Sequence, residues 1–161
     1  GLQNCQNLQR LDLCSCIELT SLHGLQNCQN LEDLNLNYCF GLTSLYELQN
    51  CTNLQTLHLA YTGVTSLDGL QNCQNLRTLD LCECIGLTSL DGLQNCPNLQ
   101  ILNLRECNIL TSLDGLQNCT NLKYLNLSRS GVTSLAGTGL ENLPNLQVVY
   151  WWRRDVPLLS S

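Results

Sequence analysis

Twelve of the 161 residues are cysteine and two are histidine, and these carry most of the reactive chemistry the chain could hold. Cys14-Ser15-Cys16 and Cys82-Glu83-Cys84 are Cys-x-Cys pairs, the residue types of a thiolate metal site. A structural zinc site needs four convergent ligands. Cys14 and Cys82, however, are expected to face solvent while Cys16 and Cys84 turn into the core, so the two sulfurs of each pair should point to opposite sides and no metal ligation is expected. His58, with Asp80 and Cys82 about one repeat further on, has the composition of a Cys-His-Asp nucleophile set. Nucleophile and base must then approach to about 3 Å. Neighbouring strands ~4.8 Å apart place Cys82 on a diagonal at ~7–8 Å. No glycine-rich phosphate loop appears, because the glycines fall at repeat positions. The residues imply neither an enzyme nor a cofactor site.

Those side chains are positioned by a repeat. The motif LxxLxL opens at Leu8, Leu31, Leu54, Leu76, Leu99, Leu122 and Leu146, at intervals of 23, 23, 22, 23, 23 and 24 residues. The full unit reads LxxLxLxxCxxLTSLxGLQNCxN. Segments 61–64 and 129–132 shorten its middle by one residue. The fourth and sixth positions alternate inward on a strand, as Leu11 and Leu13 do, while Arg10, Asp12 and Cys14 face out. The stretch LTSLxGL then returns on the outer side. Leucine is 39 of the 161 residues. One unit cannot bury its own leucines, whereas stacked units can.

On these motifs the chain resembles the leucine-rich-repeat family from Gly1 to about Trp152. Its ninth-position cysteines and Cys96-Pro97-Asn98-Leu99 are similar to the cysteine-containing subclass, but its unit of 22–24 residues is shorter. In this it looks closer to compact bacterial and protist forms. The resemblance implies one domain over residues 1–161, an α/β-type solenoid curved as a right-handed horseshoe. Its concave face would be a parallel sheet with strands near 10–14, 33–37, 56–60, 78–82, 101–105, 124–128 and 148–152. Its convex face would hold short turns or 3-10 segments and little α-helix. Residues 146–161 read as an atypical last repeat or cap.

The cysteines fall into three classes. Six share the LQNC position (Cys5, Cys28, Cys51, Cys73, Cys96, Cys119) and four the ninth position (Cys16, Cys39, Cys84, Cys107). Both classes are expected to be mostly buried and unbridged, as small apolar groups. Cys14 and Cys82, at the seventh position, should face solvent and label first. Twelve thiols favour a reducing, cytoplasmic compartment.

Charge narrows the partners. The net charge is −6, too acidic for general nucleic-acid binding. No apolar run reaches the ~18 residues of a membrane span. Residues 1–100 hold nine acids against two arginines, while residues 101–161 hold four acids against five bases.

The resemblance implies binding of a protein or peptide through the concave face. The seventh position reads Cys14, Asn37, Ala60, Cys82, Arg105, Ser128, Trp152, and the eighth Ser15, Tyr38, Tyr61, Glu83, Glu106, Arg129, Arg153. Diversity there against a constant frame suits a binder. Hot spots favour aromatics and Arg, which selects Tyr38, Tyr61, Arg105, Tyr124, Arg129, Tyr150 and Trp152. Tyr38 and Tyr61 share a column and should form an aromatic pair. The basic C-terminal end would favour an acidic or carboxylate-bearing segment. A face of seven strands projects only ~460 Å², below the ~800 Å² per partner of a standard interface, and Gly1 is not a translation start. A mature fragment, an excised piece or an incompletely known sequence would each fit, and the small face is one reason to expect a piece of a longer receptor or effector.

The near-identity of the copies, with LQNC six times and TSL six times, supports the alternative of a structural or designed scaffold without a natural ligand. The Thr-Ser column would offer an ordered hydroxyl array of the kind an ice-binding surface needs. Three glycosylation triplets, at Asn50, Asn118 and Asn126, arise readily in so Asn-rich a repeat. The N-terminus lacks a polar cap. Its open end is expected to be covered by further native sequence or by a second copy of the chain.

Overall fold

The structure is a computed structural model that describes residues 2–151. Seven strands form one sheet: β1 Arg10–Asp12, β2 Asp33–Asn35, β3 Thr56–His58, β4 Thr78–Asp80, β5 Ile101–Asn103, β6 Tyr124–Asn126 and β7 Val148–Tyr150. They pair in sequence order, all parallel, so each repeat is one coil of a solenoid. Among the described residues there is no α-helix. Three 3-10 turns occur, at Leu2–Asn4, Tyr46–Asn50 and Leu140–Asn142.

The strands are three residues long, not the five expected. The sixth and eighth positions still donate to the following strand, as Leu36 N–H does to His58 O and Tyr38 N–H to Ala60 O. The seventh-position N–H instead binds a side chain. Cys14 N–H donates to Asp12 Oδ1, Asn37 N–H to Asn35 Oδ1 and Cys82 N–H to Asp80 Oδ1. The ladder toward the preceding strand therefore stops after the fifth position. Both carboxylates and amides can close this local ring, which explains why that column is polar.

The outer side is held by side-chain ladders that recur once per coil. Asn30 Nδ2 donates to Gln6 O, Asn53 to Gln29 O, Asn75 to Thr52 O and Asn98 to Gln74 O. The cysteines join in. Cys51 Sγ donates to Leu25 O, and at the ninth position Cys39 reaches Leu13 O and Cys84 reaches Leu59 O. The thiols are thus both small apolar fillers and weak donors to carbonyls of the preceding coil. In TSL, each serine Oγ accepts the N–H two residues on, as at Ser21, Ser44, Ser66, Ser89, Ser112 and Ser134. The hydroxyl column thereby closes turns, which accounts for its regularity without an ice surface. Gly69, at φ +109°, closes the return; a Cβ there would collide with the Leu45 carbonyl.

Leucines of the central coils are fully buried. Those of the first coil are not: Leu8, Leu11, Leu13 and Leu19 are only half buried. Cys5 is likewise half buried, and Cys16 is exposed although its column was expected inside. Nothing described packs on the outer side of that coil, so the position loses its cover. Cys82 departs the other way: expected at the surface, it is buried at 7% exposure. It is small, its column neighbour Ala60 is also small and buried, and the charges of Asp80 and Arg105 lie close to the thiol. Burial, followed by the Asp80 charge, pushes this thiol up to about 11. All twelve cysteines are unbridged. Of the expected C-terminal cap, residues 148–150 form β7 and Trp151 Nε1–H donates to Val132 O at 3.1 Å. Residues 152–154 lie outside the described residues.

Candidate binding face

The concave face is built from two outward rows of the strands. Register aligns the third positions as Arg10, Asp33, Thr56, Thr78, Ile101, Tyr124 and Val148, and the fifth as Asp12, Asn35, His58, Asp80, Asn103, Asn126 and Tyr150. The third-position row runs from charged to apolar along the solenoid. Ile101, Tyr124 and Tyr150 are exposed at 42%, 43% and 59%, and Val148 is half buried between them. At the opposite end, Arg10, Leu11, Asp12, Asp33, Asn35 and His58 line an open hollow of about 430 Å³.

His58 is an exception in its row. Its fifth-position neighbours Asn35 and Asp80 each accept the N–H two residues on. In this coil the Ala60 N–H is taken instead by Asn37 Oδ1 of the coil before, at 2.8 Å. The imidazole is thereby relieved of the backbone and turned to the hollow.

Beyond the strands lies the eighth-position column. Ser15, Tyr38, Tyr61, Glu83, Glu106 and Arg129 all have φ between 58° and 63°. Left-handed backbone costs a side-chain-bearing residue ~1 kcal/mol and favours Gly, Asn or Asp; none of these occurs in the column. The side chains form a chain of contacts along the rim. The Tyr38 and Tyr61 rings stack at 4.8 Å with 12° between planes, and Phe40 meets Tyr38 edge-on at 6.3 Å. Tyr61 Oη–H donates to Glu83 Oε1 at 3.0 Å, which raises the phenol's pKa. Glu106 Oε1 receives Arg105 at 2.7 Å and Arg129 at 2.9 Å. Burial pushes the Glu106 carboxyl up, but the Arg129 hydrogen bond and both guanidinium charges outweigh it and leave it below the usual range.

The residues selected from sequence thus fall into two groups. Tyr38, Tyr61, Arg105 and Arg129 belong to the strand-exit rim, where the tyrosines stack as their shared column requires. Tyr124 and Tyr150 stand on β6 and β7, at the C-terminal end of the face. Trp152 lies outside the described residues. The arginines expected to attract an acidic partner are already ion-paired with Glu106. Sequence reasoning missed Ile101, Val148 and Asp33. The third-position row was the available signal, since its gradient is legible once the repeats are aligned. It also missed Ile17, Phe40, Ile85 and Ile109, exposed at 50–60% beyond the rim; nothing in a repeat motif tells an apolar residue there from a buried one.

The family model "Leucine Rich repeats (2 copies)" matches residues 52–95 and again 74–118. The chain is built of leucine-rich repeats. Among solved structures it is similar to an internalin, InlF, from Listeria monocytogenes, with a TM-score of 0.80 and 27% identity over 97% of this chain. It spans 45% of that internalin's length. Internalin C2 from the same organism superposes with a TM-score of 0.74 at 22% identity, over 94% of this chain and 74% of that one. The leucine-rich repeat domain of the type III effector XopL gives 0.76 at 22% identity, over 93% of this chain and 55% of that one. These last two likenesses concern the fold alone. No curated protein sequence matches the chain. Leucine-rich repeats in general mediate protein–protein interaction and are typically recognition modules rather than enzymes. Among the described residues, no helix is long and apolar enough to cross a membrane.

Proposed function

We propose that this chain is a recognition module that binds a protein or peptide through its concave sheet face and the rim beside it. Tyr38, Tyr61, Tyr124 and Tyr150 are its aromatic anchors, and Arg105 and Arg129 hold the rim through Glu106. The observation that carries this reading is the eighth-position column. Six consecutive coils hold a non-glycine residue in left-handed backbone, and five of those six residues are large or charged. Strain kept where glycine would relieve it marks side chains that are needed.

The scaffold reading rests on the near-identity of the copies. That identity is accounted for without it, because the repeated Asn, Cys and Ser residues each make a bond that recurs once per coil. Where no such bond is required, the sequence varies.

The test is capture of partners from lysate of the source organism, followed by Tyr61→Ala and Tyr124→Ala. Each is expected to weaken binding by more than ~1 kcal/mol with the melting curve nearly unchanged. Normal binding by both variants, with loss on changing the Thr-Ser column instead, would put the binding surface on the outer side.

A further inference from the structure

We infer that the concave face is polarised, and that it fits an extended polypeptide segment with basic side chains at one end and an apolar or aromatic anchor about six residues away. This rests on the concave face being the binding face and adds the chemistry and spacing of what it binds.

The two ends of the face differ in what they leave unsatisfied. Between β1 and β4 stand Asp12, Asp33 and Asp80, against Arg10 and the His58 ring. Among the described residues the only ion pairs are those on Glu106, so no base lies within 4 Å of these three carboxylates. Asp12 and Asp80 are each held by the backbone N–H two residues on. The Asp33 carboxylate has no hydrogen-bond partner among the described residues and opens on the 430 Å³ hollow. The local excess is therefore anionic, in a concavity where added cationic groups would be flanked on two sides.

Between β5 and β7 the same rows present Ile101, Tyr124, Val148 and Tyr150 on three adjacent strands, with no carboxylate among them. The nearest arginines, Arg105 and Arg129, share the single Glu106 carboxylate, so no negative charge is left over there. An apolar partner side chain meets apolar surface here, and a cationic one finds nothing to pair with. Complementarity thus fixes which end of the segment lies where.

The spacing follows from geometry. The middle of the acidic end lies on β2 and that of the apolar end on β6, four strand spacings or ~19 Å apart at ~4.8 Å each. A segment crossing the strands in extended form advances ~3.3 Å per residue, so basic and apolar side chains about six residues apart reach both.

The experiment titrates the isotopically labelled chain with three synthetic peptides by NMR. The first carries Lys-Lys and Leu-Phe separated by five neutral residues. The second replaces Lys-Lys by Glu-Glu. The third shortens the separation to one residue. The first peptide is expected to shift signals from β1 to β7, to bind at least tenfold more tightly than the second and at least threefold more tightly than the third, and to weaken with salt. Asp33→Asn and Tyr124→Ala should each weaken it at least threefold; Asp33 has no partner to lose and Tyr124 is exposed, so both variants keep the fold. Equal binding of the Glu-Glu peptide, or indifference to Asp33→Asn, overturns the polarity. If that peptide binds and Tyr124→Ala still weakens it, the concave face remains the binding face. If no peptide shifts any concave-face signal, both readings fall.

Discussion

The outer side of each coil and its concave face are made by the same repeat, yet they obey different rules. On the outer side the recurring polar residue types are dictated by bonds, either to the preceding coil or within the turn. Asn75 reaches Thr52 O, Cys73 reaches Cys51 O, and Gln71 turns back to accept the Gly69 N–H. On the concave face the third-position side chains make no such bond, and they change from Arg10 to Val148 along the row. A solenoid is stabilised mainly between neighbouring coils. Constancy therefore follows the contacts between coils, and variation is free where a side chain leaves them.

Substitutions should divide along that line. The largest effect is expected at the core between the two sides. Leu79→Ala, fully buried in a central coil, should cost about 3 kcal/mol in a denaturant melt, while its neighbour Thr78→Ala on the concave face should cost under about 0.5 kcal/mol. Equal losses at 78 and 79 would erase the distinction.

Gly69→Ala comes next. It forces a side chain into φ +109° and against a backbone oxygen, and a loss of about 2 kcal/mol is expected by thermal melting. A neutral result would mean that the return loop shifts freely, contrary to its bonded geometry.

Alkaline pH tests the buried thiols together. Burial pushes Cys51 and Cys96 up to about 11, and Cys73 and Cys119 up to about 12. The unfolded thiol titrates near 8.5. Above that pH the unfolded chain releases protons that the folded chain keeps, so stability is full below about 8 and falls as pH rises through 9 to 11. The melting midpoint followed across that window should decline; a flat profile would show the thiols to be accessible. Native thiol labelling should be fastest at Cys14 and Cys16 and slow at Cys82.

Asn75→Ala removes one outer-ladder bond at an exposed site and should cost about 1 kcal/mol. The smallest change has the opposite sign. Ser15→Gly relieves φ 62° in the first coil and should raise stability by about 0.5 kcal/mol. A loss instead would mean that the position is not strained.

The first coil shows how far repeat logic reaches. Cys16 occupies the same motif position as Cys39 and Cys84, and the motif alone assigns all three the same burial. The structure exposes Cys16 because burial there belongs to the adjacent coil, not to the residue. Cys82 illustrates the converse: an outward position becomes buried when the residue is small and its neighbours close over it. In sequence His58 stands out only beside Asp80 and Cys82; its release from the backbone depends on the Asn37 side chain from the coil before, which takes the Ala60 N–H.

The repeat length, the inward leucines and the column shared by Tyr38 and Tyr61 were legible from a period that places identical residues one above another, and the resemblance to leucine-rich repeats supplied the parallel stacking of seven strands. The tertiary structure decided which of those residues remained free. It shortened the strands by giving the seventh-position N–H to a side chain, paired Arg105 and Arg129 through Glu106, and left Asp33 alone on its hollow. Those outcomes depend on contacts between residues about a repeat apart, and such contacts exist only once the coils are stacked.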